Sequence, residues 1–434
     1  MAVESLCIIL FVLFVMLAIG VPITYSIGIA SLVAIVRVLP LDVAVLTAAQ
    51  RTFVGMSKFT LTAIPFFVLA GNIMNQGGIA KSIVDFVMAL LGRLPGALLV
   101  TNVGANALFG AISGSASAAA AAVGSMVRKG EEEQGYDKAV CAATNGASAP
   151  SGLLIPPSNV LITYSLASGG TSVAALFMAG YVPGIIWALC CIIVSIFLAK
   201  KLGYVNKAEG RYDWKNLGVT FLHALPALSL IIVVIGGIIG GVFTATEGAA
   251  VAVLYSLVIA IFNRKITWKS FWAIVVESAK MSGMVVFLTG VSNVLGWVMA
   301  FTQIPQTVAN AVLGTTGSMV LILLIMNLIL LVSGTFMDVP PAVLIFTPLF
   351  LPILTTLGIH PVHFGLILVY NLCIGNVTPP VGNTLFVAIK IGDTTLQKVM
   401  PYMLWYYLAI LVGLLLVTYI PFLSLGLPGA LGLI

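Results

Sequence analysis

"GLLIPPSNVLITYS", residues 152–165, is apolar enough for a membrane helix but carries Pro156 and Pro157 at its centre, flanked by Gly152, Ser158 and Asn159. Proline has no N–H, and its ring clashes with the carbonyl four residues earlier. A Pro-Pro pair among Gly, Ser and Asn therefore opens a helix over several residues. In hydrocarbon the freed carbonyls have no water to bond, so they must meet protein, a buried ion or a cavity. "GNVTPPVGNTLFVAI", residues 375–389, repeats the pattern around Pro379 and Pro380.

The surroundings of both breaks are apolar. Of 434 residues, 61% are hydrophobic and 7% charged, with a mean hydropathy of +1.18. No soluble domain of this length keeps so much apolar surface from water. Apolar runs near the roughly 20 residues needed to span a bilayer follow one another from Leu6 to Ile420. The composition therefore predicts an all-α polytopic membrane protein without room for a soluble catalytic domain. The first run lacks the basic start and small-residue cleavage site of a signal peptide, so it reads as a retained first span.

The net charge of +6 comes from Lys and Arg spread over short loops. No basic patch with interleaved aromatics is present, so nucleic acid is not an expected partner. Cys7, Cys141, Cys190, Cys191 and Cys373 lie in apolar segments without a metal spacing, and packing is their expected role.

Four patterns recur in order at an offset of about 220 residues. "IGVPITYSIGIA" (19–30) faces "GGVFTATEGAAV" (240–251), and "FFVLAGN" ending at Asn72 faces "VFLTGVSN" ending at Asn293. "FGAISGS" (109–115) faces "LLVSGTF" (330–336), and the two Pro-Pro segments face each other. The expected organisation is one repeat over 1–200, a polar linker over 201–217 and a second repeat over 218–434. The linker's Lys200, Lys201, Lys207, Arg211 and Lys215 place it in the cytoplasm by the positive-inside rule. Following the chain from that anchor leaves only Arg37, Arg51 and Lys58 among the Lys and Arg outside. Corresponding parts of the two halves then have opposite orientation, as in inverted-topology repeats of secondary transporters.

Each repeat carries one more interruption. Residues 96–127 hold "SGSAS" between two short apolar arms, and 317–356 hold "SGTFMDVPP" between two more. Arms too short to span comfortably, joined at a polar tip, predict re-entrant hairpins. The alternative for the first is a single span whose Gly110, Gly114, Ala118 and Ala122 form a small-residue packing face. Asp338 sits at the second tip, where an intramembrane acid needs a partner, a proton or a cation. A helix N-cap before Pro340 and Pro341 is a second role compatible with the first.

The broken helices are expected over about 138–168 and 362–391. Their freed carbonyls, with hydroxyls of the neighbouring tips, suit a monovalent cation such as Na+. The alternative is a proline kink satisfied by neighbouring helices. Half-helices that begin at a break point N-terminal amides inward and favour an anionic group. No Arg or Lys lies in any of the four breaks. Glu247, in "TATEG", is open between a helix cap and an ion or gating role. His223, His360 and His363 have no metal spacing, and the absence of a Gly-Lys dipeptide excludes a Walker A loop.

"GVPITYSIG", "FGAISGSASAAAAAVG", "GLLIPPSNVLITYS", "FTATEGAAVA", "SGTFMD" and "GNVTPPVGN" together resemble the large membrane (M, DctM-type) subunit of tripartite ATP-independent periplasmic (TRAP) transporters. The resemblance covers essentially the whole chain. It implies sodium-coupled import of a small organic carboxylate (sialic acid, a C4-dicarboxylate or a sugar acid) across the bacterial inner membrane. It also implies an elevator motion, in which hairpins and broken helices form a transport domain moving against a scaffold, with "GGIAKSIVDFVMALLG" and "IPQTVANAVLG" as arm helices. The implied partners are a small four-helix membrane (Q) subunit, on a separate chain, and a periplasmic substrate-binding protein. The coupling ion is Na+, with no other cofactor.

Carried over by position, the first cation site uses Ser113, Ser115, Asn145, Gly152, Ile155 and Pro157, and the second Ser333, Gly334, Asp338, Gly375, Val377, Thr378 and Asn383. Substrate is expected between the tips, near Ser115, Ser117, Ser158, Asn159, Thr335 and Pro380. The first tip has no counterpart of Asp338. The remaining alternatives are a binding-protein-independent divalent-anion/sodium symporter, which shares this fold, a channel, and a membrane enzyme. No nucleophile or metal constellation supports the enzyme.

Overall fold

The computed structural model describes residues 2–204, 213–315 and 318–434. Lys207, Glu209 and Arg211 of the expected linker, with the rest of 205–212, lie outside the described residues. Every regular element among the described residues is helical. Six helices are long and apolar enough to cross a membrane, and a seventh span forms if the bent pair Leu41–Met56 and Phe59–Gln76 counts as one. The lipid-facing surface is what such spans require, with Phe11, Leu46, Phe53, Ile232 and Phe262 exposed on outer helices.

At the expected repeat offset the helices can be set side by side up to Tyr419, after which Phe422–Ala430 has no counterpart. Ala2–Ala18 and Ile23–Val36 correspond to Trp214–Ile239 and Ala245–Phe262. The pair bent by 57° at Ser57–Lys58 corresponds to the continuous 34-residue helix Trp268–Phe301. At 1.5 Å per residue that helix is about 50 Å long, well beyond a ~30 Å hydrocarbon core, so it tilts or projects. Ile79–Leu91 packs against Trp214–Ile239, and its counterpart Ile304–Thr315 packs against Ala2–Ala18.

Ala97–Ser113 then turns at Gly114 (φ +63°) into Ala116–Glu133. Met319–Gly334 turns through 335–338 into Val339–Thr356. The first arms, of 17 and 16 residues, are about 25 Å long, short of a full crossing. Lys138–Ser148 and Ser151–Leu154 lead into a break at 155–158, after which Asn159–Ala167 continues. Pro361–Gly375 leads into a break at 376–382, followed by Asn383–Gly392. Both Pro–Pro peptide bonds are cis.

Ala97–Ser113, Lys138–Ser148 and Pro361–Gly375 are buried almost throughout, whereas Met319–Gly334 keeps one exposed face. Each half crosses to the other: Asn159–Ala167 packs on Val339–Thr356, and Asn383–Gly392 packs on Ala116–Glu133. Trp187 is fully buried beside them, donating its indole N–H to the Ala147 carbonyl (2.9 Å) and packing on the Tyr370 ring (centroids 4.9 Å apart).

Candidate functional site

Two clusters form where a hairpin arm meets a broken helix. In the first, Gly110 and Gly152 touch backbone to backbone: a methyl group at Gly152 would lie 2.2 Å from the Gly110 Cα. In the second, a methyl at Gly375 would lie 2.3 Å from the Gly334 carbonyl carbon. Gly334 and Gly375 were expected to belong to one site, and so was Gly152; the partner glycine at 110 was not. Each contact holds the backbone of a tip against the backbone of a break, as small residues do in membrane interfaces.

Proline chemistry sets which carbonyls these breaks leave over. Gly152 and Leu153 have Pro156 and Pro157 four residues on, so neither can receive the usual helical N–H. Leu153 recovers a donor from the Ser158 hydroxyl. In the second break Gly375 and Asn376 face Pro379 and Pro380 in the same way. Asn376 accepts from the Thr384 N–H at 3.3 Å, and Gly375 from the Thr378 N–H at 2.9 Å.

The helix Val173–Lys201 supports the first break. Gly180 and Gly184 admit it so closely that a methyl at either would stand 2.3 Å from the Leu154 oxygen or 2.4 Å from Ile155 Cγ1. The equivalent helix Leu396–Tyr419 supports the second break with a side chain, Tyr407 donating its hydroxyl to the Val377 carbonyl at 2.6 Å.

At the first tip, Ser113 donates to the carbonyls of Gly110 and Ser115 (3.4 and 3.3 Å), and the Ser115 and Ser117 hydroxyls are 3.2 Å apart. Ser115 also caps Ala116–Glu133 by accepting from the Ala118 N–H. Gly114 lies against the Asn159 side chain, and the Asn159 Oδ1 is buried without a hydrogen-bond donor. Asn145 sits on Lys138–Ser148, before the break: its amide donates to the Ala120 carbonyl at 2.8 Å and accepts from Asn106 at 3.0 Å. Ile155 and Pro157 lie in the break itself, and Ser158 caps Asn159–Ala167.

At the second tip Asp338 caps Val339–Thr356, accepting from the Val339 N–H at 2.9 Å, and the Asn383 amide reaches its carboxylate. The Thr335 carbonyl accepts from the Val381 N–H at 3.2 Å, tying tip to break. Ser333 is half-buried, whereas Asp338, Pro380 and Asn383 are exposed. The first cluster is thus the more enclosed, with Ser115, Ser117, Ile155 and Asn159 half-buried, and the second is open on one side. Beside it the Asn376 Oδ1 and the Thr384 Oγ1 are buried without partners. The sequence does not single out either one: Asn376 follows the helix end and Thr384 stands in the first turn of the next helix, and only packing shows that their oxygens are left unpartnered.

Every polar side chain gathered here offers a hydroxyl, amide or carboxylate oxygen, beside backbone amides and carbonyls. Hard oxygens without a thiol or imidazole suit an alkali cation, and among the described residues no group of three or more His, Cys, Asp and Glu is placed to bind another metal. Four helices begin at the tips and breaks, and three of them are capped by Ser115, Ser158 and Asp338. Their N-terminal amides favour negative charge, in the absence of any Lys or Arg from the breaks.

Two residues flagged in the sequence have local structural roles. Glu247 closes a capping box with Thr244, its carboxylate accepting from the Thr244 N–H at 2.8 Å. His363 bonds the Ser424 hydroxyl at 2.6 Å and the Thr418 carbonyl at 3.2 Å, linking Pro361–Gly375 to the chain's last helices.

The family model described as "Tripartite ATP-independent periplasmic transporter, DctM component" matches residues 10–423. The chain is 51% identical over 414 residues to "Uncharacterized protein YgiK" of Salmonella typhimurium, covering 95% of each chain. It is 38% identical over 436 residues to the "C4-dicarboxylate TRAP transporter large permease protein DctM" of Rhodobacter capsulatus, covering 95% of this chain and 96% of that one. Among solved structures, the Alcanivorax borkumensis YdaH transporter aligns with a TM-score of 0.61 at 16% identity, over 85% of this chain and 87% of that one, a likeness of fold. With a family match over nearly its whole length and helices enough for a multi-pass permease, the chain belongs to the DctM component family of tripartite ATP-independent periplasmic transporters.

Proposed function

We propose that the chain carries a small organic carboxylate into the cell, coupled to sodium, by an elevator motion of two inverted repeats. The candidates are sialic acid, a C4-dicarboxylate and a sugar acid. The observation that carries this reading is the paired construction of the two clusters, each a glycine contact between hairpin and broken helix. Unpartnered oxygens at Asn159, Asn376 and Thr384 stand beside these contacts.

Sodium at the first site engages the Ser113, Ser115 and Asn145 oxygens and the backbone of Gly152, Ile155 and Pro157. At the second it engages Ser333, Gly334, Asp338, Gly375, Val377, Thr378 and Asn383. With both cations bound, the helix N-termini and the side chains of Ser115, Ser117 and Asn159 hold the substrate carboxylate, with Ser158, Thr335 and Pro380 lining the space around it. The hairpins and broken helices move as one body, while Leu41–Met56, Phe59–Gln76 and Trp268–Phe301 belong to the scaffold. A four-helix membrane subunit completes that scaffold in the bacterial inner membrane, and a periplasmic binding protein delivers the substrate.

The test is uptake into vesicles that hold this chain and its small subunit, with binding protein outside. Uptake should require both an inward sodium gradient and loaded binding protein. Uptake of free substrate without binding protein would favour the divalent-anion/sodium symporter reading, and flux without sodium coupling would favour a channel.

A further inference from the structure

A buried carboxylate lies outside the two clusters, beside a row of buried amides that runs to one of them. Glu131, near the C-terminal end of Ala116–Glu133, is 5% exposed. Its neighbours on the exposed side pair elsewhere: Arg128 bonds Glu132 at 2.9 Å and approaches Asp393 at 3.9 Å, and Lys138 bonds Asp393 at 3.2 Å. No ion pair to Glu131 exists among the described residues, and its Oε1 has no hydrogen-bond partner. The titratable or charged groups that face it are Arg128 and Glu132 on its own helix, Cys141 on Lys138–Ser148, and Tyr136 in the turn between.

Its other neighbour is the amide of Asn102, on the first arm of the hairpin, whose Nδ2, like the Glu131 Oε1, is buried without a hydrogen-bond partner. Asn102 accepts from Asn106 at 2.7 Å, and Asn106 also points its amide nitrogen at the Asn145 Oδ1 (3.0 Å) and the Ser148 Oγ (2.9 Å). All four of these residues are at most 2% exposed. An amide nitrogen has two hydrogens, and here three oxygens compete for them. Whichever oxygen is left over is free for another partner.

We propose that Glu131 is a proton-binding site linked to the first cation site through Asn102, Asn106 and Asn145. This rests on the sodium reading of that site. Ionised Glu131 polarises Asn102 and so commits one Asn106 hydrogen to it, which leaves the Asn145 oxygen to share the other with Ser148 and open to a cation. A proton on Glu131 releases that hydrogen toward Asn145, where it competes with the cation, and also removes a negative charge. Proton and sodium therefore oppose each other, and by reciprocity sodium lowers the proton affinity of Glu131. Burial pushes the Glu131 carboxyl up to about 7, inside the physiological range.

The experiment measures sodium-induced thermal stabilisation of the purified chain with its small subunit, with choline replacing sodium, at pH 6 and pH 8. Apparent sodium affinity should tighten several-fold at the higher pH. Glu131→Gln should flatten that dependence, and Glu131→Asp should keep it. Asn102→Leu, which cuts the chain without touching the carboxylate, should also flatten it. An infrared carbonyl band that titrates near neutral pH and is missing from Glu131→Gln reports the proton itself. A Glu131→Gln protein with the original pH dependence would overturn the proposal, as would absence of the titrating band. A titrating band in a protein that sodium stabilises at no pH would instead overturn the sodium reading, and the linkage with it.

Discussion

Gly152 lies against Gly110 with no room for a side chain, and Gly375 repeats this against Gly334 about 220 residues later. In both cases the obstacle is backbone, which cannot rotate away as a side-chain end could. Gly152→Ala and Gly375→Ala should each destabilise the protein by about 1–3 kcal/mol, the usual range for overpacking. Melting of the purified variants in detergent measures this. Gly236→Ala is the control, since that glycine is exposed on Trp214–Ile239 with nothing within 4 Å of the added methyl. It should be neutral or mildly stabilising, because alanine favours a helix. Equal effects at Gly236 and Gly152 would refute the close-packing argument.

Asp338 combines two roles that one substitution can separate. It caps Val339–Thr356 through the Val339 N–H, and it presents a carboxylate at the open tip. Asparagine caps about as well as aspartate, so Asp338→Asn should leave stability within about 0.5 kcal/mol of the original. The same change removes the charge and should weaken apparent sodium affinity roughly tenfold, equivalent to about 1.4 kcal/mol. Asp338→Ala should lose both properties. Sodium-dependent uptake unchanged in Asp338→Asn would reduce the residue to a cap.

The prolines made the breaks legible because their chemistry acts locally and needs no knowledge of neighbours. Gly114 and Asp338 were legible for the same reason, as a polar turn between short apolar arms. The Gly110–Gly152 contact was not, since a chain with 43 glycines offers no local mark for the ones that touch. The amides Asn106 and Asn327 carried a readable signal that went unused. They stand in the first arms of the two hairpins at the repeat offset, and each bonds the following broken helix, Asn106 to Ser148 at 2.9 Å and Asn327 to Asn371 at 2.6 Å. Glu131 was hidden in "RKGEEEQGYDK", where three successive glutamates look alike until packing buries one of them.

That burial has its own consequence for stability. Glu131 ionises near 4.5 when unfolded and, raised by desolvation, at about 7 in the folded protein. The folded state therefore holds a proton that the unfolded state has lost between those values. Its contribution is fully present below pH 4.5 and is lost as pH rises through 7, on the order of 3 kcal/mol in all. Melting measured from pH 5 to pH 8 should show this decline between pH 5 and pH 7 and a plateau above it, and Glu131→Gln should remove the decline and be the more stable protein at pH 8. A decline of the same size in Glu131→Gln would assign it to another group.

The bend at Ser57–Lys58 offers the most direct test of the elevator. Lys58 donates to the Leu166 carbonyl at 3.4 Å, and both residues, with Ala167, line a crevice of about 230 Å3. One wall is Gly55, Asn293 and Gly296 of the proposed scaffold; the other is Leu344, Pro348 and the end of Asn159–Ala167, which the proposal assigns to the moving body. If that body slides past the scaffold, the two walls cannot stay together through a transport cycle. Cysteines at Lys58 and Ala167 should therefore be joined by a short cleavable bifunctional reagent, after Cys7, Cys141, Cys190, Cys191 and Cys373 are replaced. All five are free thiols, so none is needed for a disulfide. Joining should abolish uptake in vesicles, and cleavage of the reagent should restore it. Neither single-cysteine variant should respond to the reagent in that way. Full uptake by the joined protein would mean that the two walls stay in register while substrate crosses, and the rigid-body motion would have to be abandoned in favour of local opening of the tips.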